Sequence, residues 1–178
     1  GIVAEKQEDG TYIAWVDPTN TQSQVVVTPT SSKVQVKVGE TIDNIGTTTY
    51  TVTTTEDETI SKIIVKSPIE EDQVEYTLKI MKKSQDTTLE YVKVDSQVGT
   101  EEEDGSYTVK VPVQDDSYKM EVKASNQYAQ VKIEDNAFAL GTDSYTLDLT
   151  GVNGKTVTVT VKAQDGTEKV YTVNAVSY

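Results

Sequence analysis

The chain has 178 residues, 35% hydrophobic and 25% charged, with 29 acidic residues against 16 basic ones and a formal charge of −13. That length accommodates one large or two small domains, and the charge opposes phosphate backbones and anionic lipid surfaces, so neither nucleic acid nor membrane insertion is expected. Every basic residue is lysine, and Cys, His and Arg are absent, which removes thiol and imidazole catalysis, Cys/His zinc sites, disulfides and bidentate guanidinium clamps. No cofactor is expected. No apolar run approaches the roughly 18–20 residues of a membrane span. Thr and Val are the commonest residues, Ala and Leu are sparse, and β-branched side chains favour a pleated surface.

An internal repeat organises the chain. Glu8-Asp9-Gly10-Thr11-Tyr12 returns 95 positions later as Glu103-Asp104-Gly105-Ser106-Tyr107. At the same offset Val25 and Val27 match Met120 and Val122, and Val34, Val36 and Val38 match Ala129, Val131 and Ile133. Gly46-Thr47 matches Gly141-Thr142, Tyr50-Thr51-Val52 matches Tyr145-Thr146-Leu147, and Tyr76-Thr77-Leu78 matches Tyr171-Thr172-Val173. Two domains of one type are therefore expected, over residues 1–82 and 83–178. Small slips fall at 56–73 and 151–168, where turns absorb length changes.

In chain order, Ile2–Ala4 comes first, as a candidate stub of an opening strand. Tyr12, Ala14 and Val16 pair with Tyr107, Val109 and Val111 as core positions, so alternation turns Ile13 and Trp15 outward, where the second copy has Thr108 and Lys110. An outward tryptophan beside an outward isoleucine reads either as a stacking platform for a sugar ring or domain contact, or as a side chain folded over a sheet edge or over the missing first strand. The first copy ends near Ile80, and Met81-Lys82-Lys83-Ser84-Gln85-Asp86 leads into the second without a Gly/Ser or Pro-rich linker. Sandwiches joined this way are expected to stack end to end with little hinge motion.

The second copy reads as seven strands, 88–94, 107–113, 119–124, 129–133, 144–149, 156–163 and 169–175. The clearest, Thr156-Val157-Thr158-Val159-Thr160-Val161, alternates strictly between an inner and an outer face. Asp104-Gly105, Asn153-Gly154 and Asp165-Gly166 supply turns. The fold class is all-β: two consecutive immunoglobulin-like, Greek-key antiparallel β-sandwiches, with an up-and-down barrel as the alternative. The counterpart of Thr88–Val94 would lie before residue 1, so the first copy is expected to be truncated just after its opening strand, with an unpaired edge there, in a parent protein that extends on both sides.

With these residues assembled, the chain resembles a tandem of cadherin-like β-sandwich domains found in large bacterial extracellular proteins. The resemblance rests on Thr88–Val94, on Val157-Thr158-Val159, and on the closing run from Ala163 through Asp165-Gly166-Thr167 to Tyr171-Thr172-Val173. The first copy departs at Pro68–Gln73, which replaces the Asp-Gly turn. The resemblance implies a non-catalytic, extracellular or cell-surface spacer or adhesion module. Its partners would be neighbouring domains of the same polypeptide, with a polysaccharide or another surface protein as a further partner, and it carries no catalytic residues across.

Acidic clusters at Glu56-Asp57-Glu58, Glu70-Glu71-Asp72 and Glu101-Glu102-Glu103-Asp104 fall in turns. A calcium site needs six to eight converging oxygens, and consecutive side chains of an extended segment diverge, so these read as solvated turns, with weak calcium binding as the alternative. A carboxylate-pair glycosidase needs a cleft that domains this small hardly offer, and nothing sets up a Lys–acid–Asn crosslink. The paired tyrosines Tyr12/Tyr107, Tyr50/Tyr145 and Tyr76/Tyr171 read as core residues with a bonded hydroxyl, whereas Tyr91, Tyr118 and Tyr128 are surface candidates. Net negative charge limits self-association, so a monomer is expected. The two functional readings are a spacer or adhesion module and a carbohydrate-binding module built around Trp15 and Ile13.

Overall fold

Alternating β-branched residues make one face of each strand apolar, and such a face is stable only against a second sheet. The computed structural model describes residues 1–41, 43–69, 72–112 and 117–178, and its backbone forms two units, Gly1–Lys83 and Ser84–Tyr178. No helix occurs among the described residues.

The first unit holds β1 (Glu5–Lys6), β2 (Tyr12–Val16), β3 (Gln22–Val27), β4 (Gln35–Val38), β5 (Asn44–Ile45), β6 (Thr48–Thr53), β7 (Glu58–Lys66) and β8 (Gln73–Lys82). They make a six-stranded sheet in the order β1-β2-β8-β7-β4-β5 and a two-stranded sheet β3-β6. The second unit holds β9 (Leu89–Val94), β10 (Gln97–Val98), β11 (Thr100–Glu101), β12 (Tyr107–Val111), β13 (Ser117–Ala124), β14 (Gln130–Ile133), β15 (Ala139–Leu140), β16 (Thr142–Asp148), β17 (Gly154–Lys162) and β18 (Glu168–Ser177). Here a six-stranded sheet β11-β12-β18-β17-β14-β15 accompanies a four-stranded sheet β10-β9-β13-β16. Each unit is thus a sandwich of two sheets and not a closed barrel.

The repeat is written into the ladders. β3 meets β6 with Gln22 opposite Thr53, and β13 meets β16 with Ser117 opposite Asp148, the same register 95 residues on. β2 meets β8 with Tyr12 opposite Leu78, and β12 meets β18 with Tyr107 opposite Val173. Ser61 faces Leu78 where Val157 faces Val173, so one residue is gained before β17. Gly46 and Gly141 both sit at φ +74°, a conformation open to glycine and poorly tolerated by other residues, which accounts for the recurring Gly-Thr pair.

Within this antiparallel architecture one pairing in each unit is parallel, β2 with β8 and β12 with β18. Parallel neighbours need a long crossover, supplied here by the strands that intervene in sequence. A second departure is at Asn153-Gly154. The left-handed turn residue is Gly151, at φ +72°, and Gly154 begins β17, where a Cβ would lie 2.9 Å from the Ala175 carbonyl oxygen. Close approach to β18 requires glycine there, not turn geometry. Thr160 is buried although its neighbours Thr156 and Thr158 are not; it is flanked by Lys132 on β14 and Val170 on β18. The expected strand 107–113 ends in described residues at Val111, with Val113 outside them.

The cores are unequal. Twenty-one described residues form one buried cluster in the second unit, around Met120, Ile133, Leu147 and the valines of β12, β14 and β17. The first unit buries two clusters of three, Val16 with Leu78 and Ile80, and Val36 with Val38 and Tyr50. Apolar burial contributes about 25 cal/mol per Å², so the first unit is expected to unfold first. The only tryptophan, Trp15, lies in it. The tryptophan emission transition in urea should precede the final loss of far-ultraviolet ellipticity. Met120→Ala, at a fully buried site, should lower that later transition by about 2–5 kcal/mol.

Candidate functional site

β2 places Tyr12 and Val16 toward the interior, packed with Leu78 and Ile80, so Ile13 and Trp15 occupy the opposite, outer face of the six-stranded sheet. Ile13 is level with Lys79 of β8 and Glu5 of β1, and Trp15 with Met81 of β8. Across β8, Lys79 is followed by Ile60 and Met81 by Glu58. Ile13, Trp15 and Met81 are half-buried and Ile60 is 60% exposed. The corresponding face of the second unit carries Thr108, Lys110, Asn174 and Thr156, with Val176 as its one apolar member in place of Met81. Ile13, Trp15 and Ile60 are therefore particular to the first unit.

Trp15 does not cover the place of the missing strand. Two grooves open on the inner side, roughly 340 and 550 Å³ in volume, and neither Ile13 nor Trp15 lines them. Their walls include Ala14, Val16, Val25, Val27, Ile63 and Leu78. Ile2–Ala4 forms no strand. By the 95-residue offset it matches positions 97–99, not the opening strand, so the expected stub is instead the counterpart of β10 and the residue after it.

The acidic turns have local work. Asp9 Oδ1 accepts the Thr11 backbone N–H at 2.9 Å, and Asp104 Oδ1 accepts the Ser106 N–H at 2.9 Å and its hydroxyl at 2.7 Å. Asp148 and Asp165 repeat the arrangement with Thr150 and Thr167. These bonds to the charged form hold all four carboxyls below their ordinary range. No group of three or more Asp or Glu side chains suited to a metal occurs among the described residues; Glu70 and Glu71 lie outside them.

The tyrosines divide as packing dictates. Tyr12–Tyr76 and Tyr107–Tyr171 make matching edge-to-face pairs at 6.0 and 5.9 Å. Tyr50 donates its hydroxyl to the Val36 carbonyl at 2.5 Å, and Tyr171 to the Thr87 carbonyl at 2.9 Å. Tyr118, a surface candidate from sequence, is buried and donates to the Pro112 carbonyl at 2.6 Å; its even-numbered place on β13 puts it on the core face with Met120 and Val122. Tyr91 donates to Glu121 at 2.6 Å beneath Lys93, and that bond raises the phenol while lowering the carboxyl. Tyr107 is pushed up to about 12, first by burial and then by Glu101.

The family model for a cadherin-like beta sandwich domain matches residues 87–176, half of the chain. No curated protein sequence matches the chain. Among solved structures, a chimeric titin Z1Z2-Z1Z2 tandem functionalised with a GRGDS exogenous peptide from fibronectin is 12% identical, covering 89% of this chain and 91% of that one at a TM-score of 0.29. PcdhgB3 EC1-4 is 8% identical, with 99% of this chain and 46% of that one covered at 0.33. The Bacteroides ovatus mixed-linkage glucan utilization locus protein SGBP-B, solved with a mixed-linkage heptasaccharide, is 5% identical, with 100% and 70% covered at 0.24. At such TM-scores none of the three bears on ligand or partner.

Two pH effects follow. Tyr107 favours its neutral form in the fold, so its contribution is complete below the ordinary value of 10.0 and is lost as pH rises through about 12. Tyr107→Phe should flatten that alkaline limb in a plot of unfolding midpoint against pH. The four aspartates act oppositely. Their contribution is complete above the ordinary value of 3.8 and is lost as pH falls below it. Asp104→Ala should reduce the acid dependence and leave the alkaline limb unchanged.

Proposed function

The chain belongs to the cadherin-like beta sandwich domain family, and from that footing we propose that it is a non-catalytic, load-bearing spacer or adhesion module of a larger bacterial extracellular protein. The observation that carries this reading is the parallel pairing of β2 with β8 and of β12 with β18. The chain passes through β2 early in the first unit, and through β12 after β9, β10 and β11 in the second, and leaves through β8 or β18. Tension along the backbone therefore pulls the two members of a parallel pair from opposite ends. Shear of this kind loads the five partner positions together, whereas unzipping a hairpin loads its bonds one at a time. A module that holds another domain away from a cell needs that resistance, and it needs no catalytic group. Its partners are then neighbouring domains of the same polypeptide and another surface protein.

The second reading, a carbohydrate-binding module, is favoured by the outer apolar patch of Ile13, Trp15 and Ile60, which the second unit lacks.

The absence of cysteine from the chain makes site-specific handles simple. Pulling between Gly1→Cys and Tyr178→Cys should require clearly more force per unfolding event than pulling between Asn153→Cys and Ser177→Cys, which peels β17 from β18. Equal forces would overturn the load-bearing reading. For the second reading, Trp15 emission should shift on titration with a polysaccharide. An unchanged spectrum across a broad panel removes it.

A further inference from the structure

The chain has six asparagines, and Asn153 alone precedes a glycine. The backbone nitrogen that follows an asparagine can attack its side-chain amide, and a side chain on that next residue obstructs the approach. Glycine is required at 154 because a Cβ there would lie 2.9 Å from the Ala175 carbonyl oxygen. The close packing of β17 on β18 therefore places the least hindered nucleophile directly after an exposed asparagine.

The ladder leaves that nitrogen outside the β17–β18 bonds. Ser177 donates its N–H to the Asn153 carbonyl at 2.9 Å, so Gly154 and Val176 face each other as a pair without direct hydrogen bonds. The Gly154 N–H is thus turned to the other edge of β17, where β14 pairs only with Val159–Lys162. The three Asp-Gly pairs, which carry the same liability in sequence, are built differently. Gly10, Gly105 and Gly166 donate their N–H to the carbonyls of Gln7, Glu102 and Ala163 at 3.0, 2.9 and 3.0 Å. The carboxylates of Asp9, Asp104 and Asp165 are each held by the backbone N–H two residues on. In the first unit Asp57-Glu58 fills the place of Asn153-Gly154. Lys82 donates to the Asp57 carbonyl at 2.9 Å as Ser177 does to Asn153, but a glutamate follows.

We propose that Asn153 is a self-modification site, converting to aspartate and isoaspartate with water as co-reactant, and that the isoaspartyl form releases the end of β18 from β17. The Gly154 nitrogen bonds to Asn153 Cγ, the Cγ–Nδ2 bond breaks, and ammonia leaves with the proton that Gly154 gives up. Water then opens the cyclic imide. Hydrolysis at Cγ gives aspartate, and hydrolysis at the backbone carbonyl carbon gives isoaspartate, whose link to Gly154 runs through Cγ. No atom changes oxidation state. The aspartyl product is the residue type that the first unit already carries at Asp57. The isoaspartyl product lengthens the backbone by an extra carbon and turns the carbonyl that held Ser177 into a free carboxylate.

The test incubates the full chain at mildly alkaline pH, digests it, and maps every asparagine and Asp-Gly peptide by mass. Amide-to-carboxyl conversion should appear at Asn153 and at no other asparagine, and an isoaspartyl methyltransferase should label that peptide alone. Asn153→Gln should lose both signals. The Ser177 amide should lose its protection from hydrogen exchange in the isoaspartyl form, whereas Asn153→Asp, which adds the charge without the extra carbon, should keep it. The proposal is overturned if Asn153 stays amidated in the folded chain, or if Asp9, Asp104 or Asp165 isomerises as fast. It is equally overturned if Asn153→Gln converts at the same rate, if Ser177 stays protected in the isoaspartyl form, or if Asn153→Asp loses that protection as well.

Discussion

Both units depend on the long antiparallel ladder at the centre of the larger sheet, β7 with β8 and β17 with β18, each joined at nine partner positions. Its alternation decides which side chains face inward: Val157, Val159 and Val161 on one strand, Tyr171, Val173 and Ala175 on the other, all buried. A slip of one residue would turn this apolar set into solvent and present threonine to the core. Everything else is hung from that ladder. β12 or β2 adds in parallel on one side, β14 or β4 antiparallel on the other, and the second sheet covers the valine face.

What distinguishes the two units is how completely that face is covered. A four-stranded sheet closes the core of the second unit, and its outer surface is laced with Tyr91–Glu121, Lys93 over Tyr91 and the Lys123–Glu90 ion pair at 2.7 Å. Exposed pairs of this sort add little to stability; the sealing of Met120 and Val122 matters more. In the first unit a two-stranded sheet leaves the equivalent valines at the wall of a groove. The same ladder therefore carries a four-stranded second sheet in one unit and, among the described residues, a two-stranded one in the other.

The repeat, the strands of the second copy and the all-β class were legible because each rests on local pattern: period-two alternation, recurring Gly-Thr and Tyr-Thr pairs, and Asp-Gly turns at Gly105 and Gly166, which do adopt positive φ. Tyr118 was misjudged for want of a recurring partner in the first copy, where Ser23 stands, although its parity with Met120 carried the signal. Gly154 resembled a turn residue because Asn-Gly usually is one, whereas its small size serves the approach to the Ala175 carbonyl. The outward placement of Ile13 and Trp15 followed from alternation alone. Their partial cover comes from β8 and β1 beside them, which are neighbours only in the folded sheet.

Sequence by itself determined the module, its duplication, the inward valine set and the chemistry that the chain lacks, because those properties belong to residue identity and to spacing within one strand. Tertiary structure alone decided which strands run parallel, that Trp15 stands apart from the grooves, and that a side chain at Gly99 would strike Val109. Each of those depends on strands distant along the chain meeting at a few ångströms, and no local period records such a meeting.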